Sequence, residues 1–463
     1  RRKVTLMQLS RTLGRSRRRR ALAGIAAVTT LGAAALAGCS SSGSGGSSGS
    51  GGNADSGTLK IITWVNPPAV SALTAINKEF EAKYPKIHVQ LQTAVNVATG
   101  YANLLQTSVN SSSADIVTTV DQLQPLPLKP TRKNETPTQF WSTSNVFADL
   151  STQPWAKNLN DAATKAETYN GKLVGLLSGV YQELVFYNKA DFTKYGVTPP
   201  KTWDEFITLM NTLKSKGVSS PLWLGLGSGA SVYVTRFIAE PFMNSLWAPK
   251  ASGETLAQAL EKGDLKWNSP EMIQVLQREQ QLAKYLEPSY TGAAWQDMPN
   301  AFAQDKAPML LDGSWDLTSV QKANPTMQVG SFALPGSNDP AANQPVANQD
   351  LTFEVLNKAP NKALAMKWMA FFTSPAIYKQ YVNMTGISPI MKSGGPYSSF
   401  SAKVLGPLFG QGFNPGDVLP ALSADQGYWD TATQWPLLQE SVMAGSKTPQ
   451  QAVAMYQSDW KTG

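Results

Sequence analysis

At 463 residues, 42% hydrophobic and 16% charged, the chain is long enough for two lobes of ordinary domain size and too apolar to stay disordered. The net charge of +8 is local. Nine of the 40 basic residues lie in 1–38, which hold no acid, and the remainder carries 31 basic against 32 acidic residues, so nothing argues for a nucleic-acid partner. Cys39 and His88 are the only cysteine and histidine, which rules out a disulfide within the chain and leaves no imidazole or thiolate cluster for a metal.

Arg17 to Arg20 precede an apolar run over 21–35, and Leu36-Ala37-Gly38-Cys39 follows. That order reads as an export signal ending in a lipobox. Small residues before the scissile bond let the backbone enter a peptidase, and the thiol of Cys39 would take a diacylglyceryl thioether. The run is shorter than the roughly 20 residues of a membrane-spanning helix. Residues 1–38 are therefore expected to be a lipoprotein signal peptide. Residues 39–57 follow as a lipidated Cys39 with a Ser/Gly-rich tether, flexible enough to let a folded body swing clear of the membrane. Both the general and the twin-arginine export routes stay open.

The body alternates strand and helix. Residues 59–64 read as a buried strand, then Val70, Leu73, Ile76 and Phe80 recur at near-helical spacing, and 89–92 form the next strand. Tyr101, Leu104, Leu105, Ser108 and Val109 share a second helical face, and 115–120 supply a third strand. The alternation implies a parallel sheet with helices on both faces and a ligand crevice beyond the strand C-termini, at the loops after Trp64 and Val120. Residues 122–138 read as a long loop. Thr202 and Glu205 make a capping box for a helix whose apolar face is Trp203, Phe206, Ile207, Met210 and Leu213. Strands over 185–187, 222–226, 307–311 and 329–334 make a second α/β unit. Thr448, Pro449 and Gln451 open a last helix. Leu364, Trp368, Phe371 and Phe372 form a core stripe. Gly225-Leu226-Gly227-Ser228-Gly229 mimics a dinucleotide turn but lacks the acidic residue that fingerprint needs, and reads as a flexible loop. Gly45-Gly46-Ser47-Ser48-Gly49 fits a hydrolase elbow only formally, because it lies in the tether.

Several ordered segments carry a resemblance. They are Tyr169-Asn170-Gly171-Lys172, Leu184-Val185-Phe186-Tyr187-Asn188-Lys189, Pro200-Lys201-Thr202-Trp203-Asp204-Glu205-Phe206, and Phe302 to Met309 leading to Asp312-Gly313-Ser314-Trp315. Gly330-Ser331-Phe332-Ala333-Leu334-Pro335-Gly336, Gly386-Ile387-Ser388-Pro389 and the last helix continue the series. Over 58–463 the chain resembles the bacterial extracellular solute-binding proteins that include the maltodextrin-binding protein. The resemblance implies an α/β, two-lobed periplasmic-binding-protein-like fold with discontinuous lobes, a hinge, and ligand in the interlobe cleft. Lobe 1 is expected over 58–180 and 350–402, and lobe 2 over 181–349 and 403–463, with crossings near 178–181, 349–352 and 402–406. The implied role is that of a monomeric lipoprotein on the outer face of the cell membrane. It would capture a sugar and hand it to ABC permease subunits and their ATPase, with no cofactor and no metal.

A sugar offers apolar C–H faces and a rim of hydroxyls, so its site needs aromatic platforms flanked by carboxylates and amides. Trp315 stands where similar proteins project a stacking ring, with core packing as the alternative. Trp429, after Tyr428, matches a late aromatic segment of the sugar binders and has the same alternative. Glu240-Pro241-Phe242 resembles an acidic-Pro-aromatic segment in which the carboxylate meets hydroxyls and the ring stacks; an exposed salt bridge is the other use of Glu240. Asn66 follows the first strand, where the family places polar contacts, although Pro67-Pro68 replaces the charged residues of the maltodextrin example. Asp121 ends the third strand and either meets ligand or caps a loop. Tyr181 and Asp350 sit at crossings, where a side chain reaches ligand or steadies the hinge. A binder of another small solute, or a surface-anchored hydrolase using paired carboxylates, is the competing function.

Overall fold

The computed structural model describes residues 55–95, 100–119, 135–227, 233–253, 255–392, 400–408, 414–415 and 434–460. Cys39, Asp121 and Trp429 lie outside the described residues. In chain order the strands are β1 (Gly57–Trp64), β2 (Ile87–Ala94), β3 (Ile116–Thr119), β4 (Thr168–Tyr169), β5 (Lys172–Leu173), β6 (Leu176–Leu177) and β7 (Val180–Asn188). They continue as β8 (Leu222–Trp223), β9 (Met309–Gly313), β10 (Val329–Phe332), β11 (Val346–Gln349), β12 (Thr352–Val355) and β13 (Asn414–Pro415).

The first sheet has the order β2-β1-β3-β12-β6. β1 runs parallel to β2 and β3, as the alternating pattern predicts, but β12 is antiparallel to both β3 and β6. The sheet is mixed because β12 returns from the second sheet and enters from the opposite end. The helix Pro67–Lys83 buries Leu73, Ile76 and Phe80 beside this sheet. Asn66 caps it, with Oδ1 accepting from the Ala69 N–H at 3.4 Å, and the two prolines fall in the first turn, where a missing N–H costs nothing. The stripe Leu364, Trp368 and Phe372 is fully buried in the same core.

The second sheet centres on β7. β9 lines one side, while β11 and β10 share the other, all antiparallel to it; β8–β9 and β11–β13 pair in parallel. β8 is two residues long, shorter than the predicted 222–226, because Gly225 and Gly227 press their backbones against residues 292–294, where any Cβ would collide with a carbonyl. Those glycines serve close approach rather than looseness. The helix Trp203–Ser215 has both halves of its capping box, as does Pro449–Asp459. A core separate from that of the first sheet gathers Phe206, Phe237, Trp247, Phe302, Leu311 and Trp435.

The chain passes between the two bodies through short segments. Ser178-Gly179 alone separate β6 from β7, and Asp350-Leu351 alone separate β11 from β12. Met391 still bridges Leu159 of the first body, whereas Val404 and Leu405 pack in the second core. The third passage is thus complete before the expected 402–406, because the helix Phe400–Leu405 needs the second core to cover its apolar face. Among the described residues no helix is long and apolar enough to cross a membrane.

Candidate functional site

The two short passages are tied to each other. Ser178 Oγ donates to Asp350 Oδ2 at 3.2 Å, the Asp350 N–H donates to the Gly179 carbonyl at 2.9 Å, and the Ser178 N–H to the Leu351 carbonyl at 2.7 Å. The Tyr378 phenol donates to the Ser178 carbonyl at 2.9 Å. Burial pushes the Asp350 carboxyl up to about 6, against hydrogen bonds from Leu351 and Ser178 that favour its charge. Gln182 then meets Ser388 side chain to side chain at 2.9 Å, so the third stretch of chain is fastened to β7 as well.

β7 leaves this junction with Tyr181, whose ring stands edge-on to Trp315 with centroids 4.7 Å apart. Trp315 belongs to the short turn Ser314–Asp316 after β9, and it is only half-buried. Its indole lies against bare backbone at Gly313, where a Cβ would fall within the ring. Behind it the π-helical segment Val234–Ala239 supplies Phe237, 6.0 Å from Trp315, and Arg236, whose Nη1 donates to the Tyr181 phenol at 3.1 Å. Tyr233 stacks on Phe237 at 4.6 Å and meets Trp295 at 5.7 Å. Tyr233, Trp295 and Trp315 all keep exposed surface. A π-helical turn is uncommon and is found frequently at functional sites.

Carboxyls underlie this row of rings. Asp312, the fourth residue of β9, is fully buried and accepts the Gly313 N–H at 2.7 Å; Asp316 accepts the Trp315 indole N–H at 3.1 Å. Burial raises both, Asp316 to about 6 and Asp312 well above the usual carboxylate range, and the neighbouring Asp316 raises Asp312 further. Glu183, on β7, accepts from Asn348 at 2.8 Å. Flat faces beside carboxyl, amide and guanidinium groups can grip a polyhydroxylated ring. Among the described residues no group of three or more His, Cys, Asp or Glu side chains is placed to hold a metal ion.

Comparison with known proteins decides the family. The family model described as bacterial extracellular solute-binding protein matches residues 65–379. The chain belongs to the bacterial extracellular solute-binding protein family. A relative, the multiple sugar-binding protein of Streptococcus mutans, is 24% identical over 332 residues, 70% of this chain and 73% of that protein. The melibiose/raffinose/stachyose-binding protein of Bacillus subtilis is 22% identical over 243 residues, and the match spans 52% of this chain and just over half of the relative, 56%. Among solved structures, the solute-binding protein RafE in complex with raffinose superposes with a TM-score of 0.68 at 22% identity, covering 87% of this chain and 98% of that one.

In this solute-binding protein, three of the candidate residues gather at the junction of the lobes: Tyr181, Asp350 and Trp315. Asn66 lies at the C-terminal end of β1, half-buried, with its amide oxygen engaged as a helix cap. The Glu240-Phe242 expectation is corrected. Both side chains sit in the interior of the second body, Glu240 at 2% exposure and Phe242 at 0%, and the Phe242 ring is edge-on to Trp203 at 5.4 Å. The helix Glu240–Leu246 packs on Pro270–Leu282, so a ring placed there has no face left for a ligand. An exposed salt bridge at Glu240 is excluded by the same burial. Arg236, Tyr233, Trp295 and Asp316 were not singled out from the sequence. Two signals were present: Arg236 is the only basic residue between 217 and 249, and Asp312 and Asp316 stand three residues before and one residue after Trp315.

Proposed function

We propose that this solute-binding protein captures a sugar or oligosaccharide between its lobes and delivers it to a membrane ABC permease, making and breaking no covalent bond. The observation that carries the reading is the half-exposed Trp315, set edge-on to Tyr181 beside the interlobe passages, with Arg236 and Asp316 as polar partners. Family membership and the sugar-binding names of the relatives support it. In this proposal residues 58–177 and 352–392 make one lobe, and 180–349 with 400–463 the other. Ligand favours the closed arrangement because only closure lets both lobes touch it. Tyr181, Trp315 and Asp350 form the core of the proposed site, with Asn66, Asp121 and Trp429 as further contacts.

A thermal-shift screen of neutral sugars, including raffinose, stachyose, maltose and chitin oligosaccharides, tests the assignment. At least one sugar should raise the melting temperature, with an affinity of about micromolar or tighter, near −8 kcal/mol. If only amino acids, peptides or polyamines raise it, the sugar reading fails. We also assign Cys39 as a lipidated anchor after a signal peptide, on the strength of Leu36-Ala37-Gly38-Cys39 and the Ser/Gly tether behind it. Replacing Cys39 by Ser should move the protein from the membrane fraction to the soluble one. Continued sedimentation with membranes would rule the anchor out.

A further inference from the structure

We propose that the carboxyl pair of Asp312 and Asp316 is a positioning device that holds the Trp315 indole in its ligand-receiving orientation and loosens the grip on solute when Asp316 takes up a proton. The inference rests on the reading that Trp315 meets the solute.

Three contacts fix the indole. One face lies on the backbone of Gly313, which has no side chain to push it off. The ring meets Tyr181 edge to face, at an interplanar angle of 84°. The indole N–H donates to Asp316 Oδ2 at 3.1 Å, which sets the rotation of the ring about its own axis. The turn that carries it is fastened too, because the Gln182 N–H donates to Ser314 Oγ at 3.1 Å.

Asp316 is in turn held by Asp312. Two carboxyl groups that meet in a buried place cannot both be charged, so the pair carries one proton. Among the described residues no N–H or hydroxyl donor reaches Asp312 Oδ2. Asp312, the more deeply buried of the two and the one raised further, keeps the shared proton, leaving Asp316 as the anion that accepts from Asp312, from Trp315 and from Ser319. The charged and titratable groups that face the pair are Glu183 on β7 and Tyr233 and Arg236 from the π-helical segment. Glu183 favours the protonated state of Asp312; Tyr233, raised by burial and by both carboxyls, stays neutral and adds no charge, and Arg236 acts on Tyr233. Burial has raised Asp316 to about 6. Above that pH it holds the indole through a charge-assisted bond. Below it the second proton converts the acceptor to a neutral acid, and the hold on the ring weakens.

The test follows the indole N–H resonance of Trp315 in the full chain, identified by its loss in Trp315→Phe, between about pH 8 and pH 5. In the parent protein it should move with a midpoint near 6. Asp316→Asn should abolish the movement. Asp312→Ala, which removes the donation that favours the Asp316 anion, should shift the midpoint to higher pH; this variant decides the matter if Asp316→Asn does not fold. Raffinose is the ligand probe. Its Kd should rise by about tenfold from pH 7.5 to pH 5 in the parent and by less than about twofold in Asp316→Asn. A resonance that stays still in the parent, or titrates alike in parent and both variants, overturns the proposal, as does an equal pH dependence of raffinose binding in parent and Asp316→Asn. Failure of raffinose and the wider sugar panel to bind at either pH counts instead against the sugar reading, while the resonance still decides whether the pair controls the indole.

Discussion

Gly313 lies under the Trp315 ring with no side chain in the way, and its backbone is ordinary extended chain at φ −85°, so an alanine there is strained only by the indole above it. Gly313→Ala should therefore push the ring from its seat without harming the fold. Truncation of a binding-site tryptophan costs about 2 kcal/mol or more, roughly a thirtyfold loss of affinity. Trp315→Ala should reach that loss and Gly313→Ala a substantial part of it, read by calorimetric titration with the sugar that the thermal screen selects. Affinity unchanged in both variants would take Trp315 out of the site. Trp315 could be named as a candidate because Asp312-Gly313-Ser314-Trp315 carries the family resemblance in a local motif. Phe242 was misread because a motif does not say which way a helix faces: Glu240–Leu246 turns that ring towards Trp203. Arg236 was passed over because its partner, the Tyr181 phenol, lies 55 residues away in the chain.

Three helical segments of the second lobe meet at one buried acid. Glu279, on Pro270–Leu282, accepts from Gln439 Nε2 at 2.7 Å, and Gln439, on Gln434–Met443, accepts from Thr235 in the π-helical segment. Burial pushes Glu279 up to about 8 from its ordinary 4.5, and Glu167, enclosed beside Thr352 in the first lobe, is raised to about 8 by the same cause. At neutral pH the folded protein thus holds protons that the unfolded chain releases, and its stability falls as the pH rises through that range. From pH 7 to pH 9 each such group should remove about 1.4 kcal/mol. Urea unfolding at the two pH values checks this, and Glu279→Gln should show a shallower decline; an identical decline would mean that Glu279 is ionised in the fold. Helix starts were readable at this scale because a capping box is local chemistry, as Thr202 with Glu205 and Thr448 with Gln451 show. Strand direction was not. Nothing within Thr352–Val355 says that it will lie antiparallel between β3 and β6, because direction is set by the partners that the chain meets on its return.

For the molecule as a whole, the alternation of strands and helices and the ordered family segments were enough to give the two-lobed α/β fold. The passages at Ser178-Gly179 and Asp350-Leu351 fall in short stretches between strands of different sheets, and the expectation of crossings there came from the family resemblance rather than from the apolar pattern. The third passage lies outside the described residues, between 392 and 400, and beyond it Val404 and Leu405 pack in the second core.

The place of β12 in the first sheet governs how the chain can mature. β3 and β6 are neighbours of β12 and not of each other, so the first sheet has a gap in its middle until residues 352–355 arrive. A nascent chain growing from its N-terminus must therefore carry two open strand edges, the kind that pair promiscuously, through the making of residues 180–349 of the second lobe. Such a polypeptide stays threadable through a narrow pore until β12 is made, and closes its first lobe only then.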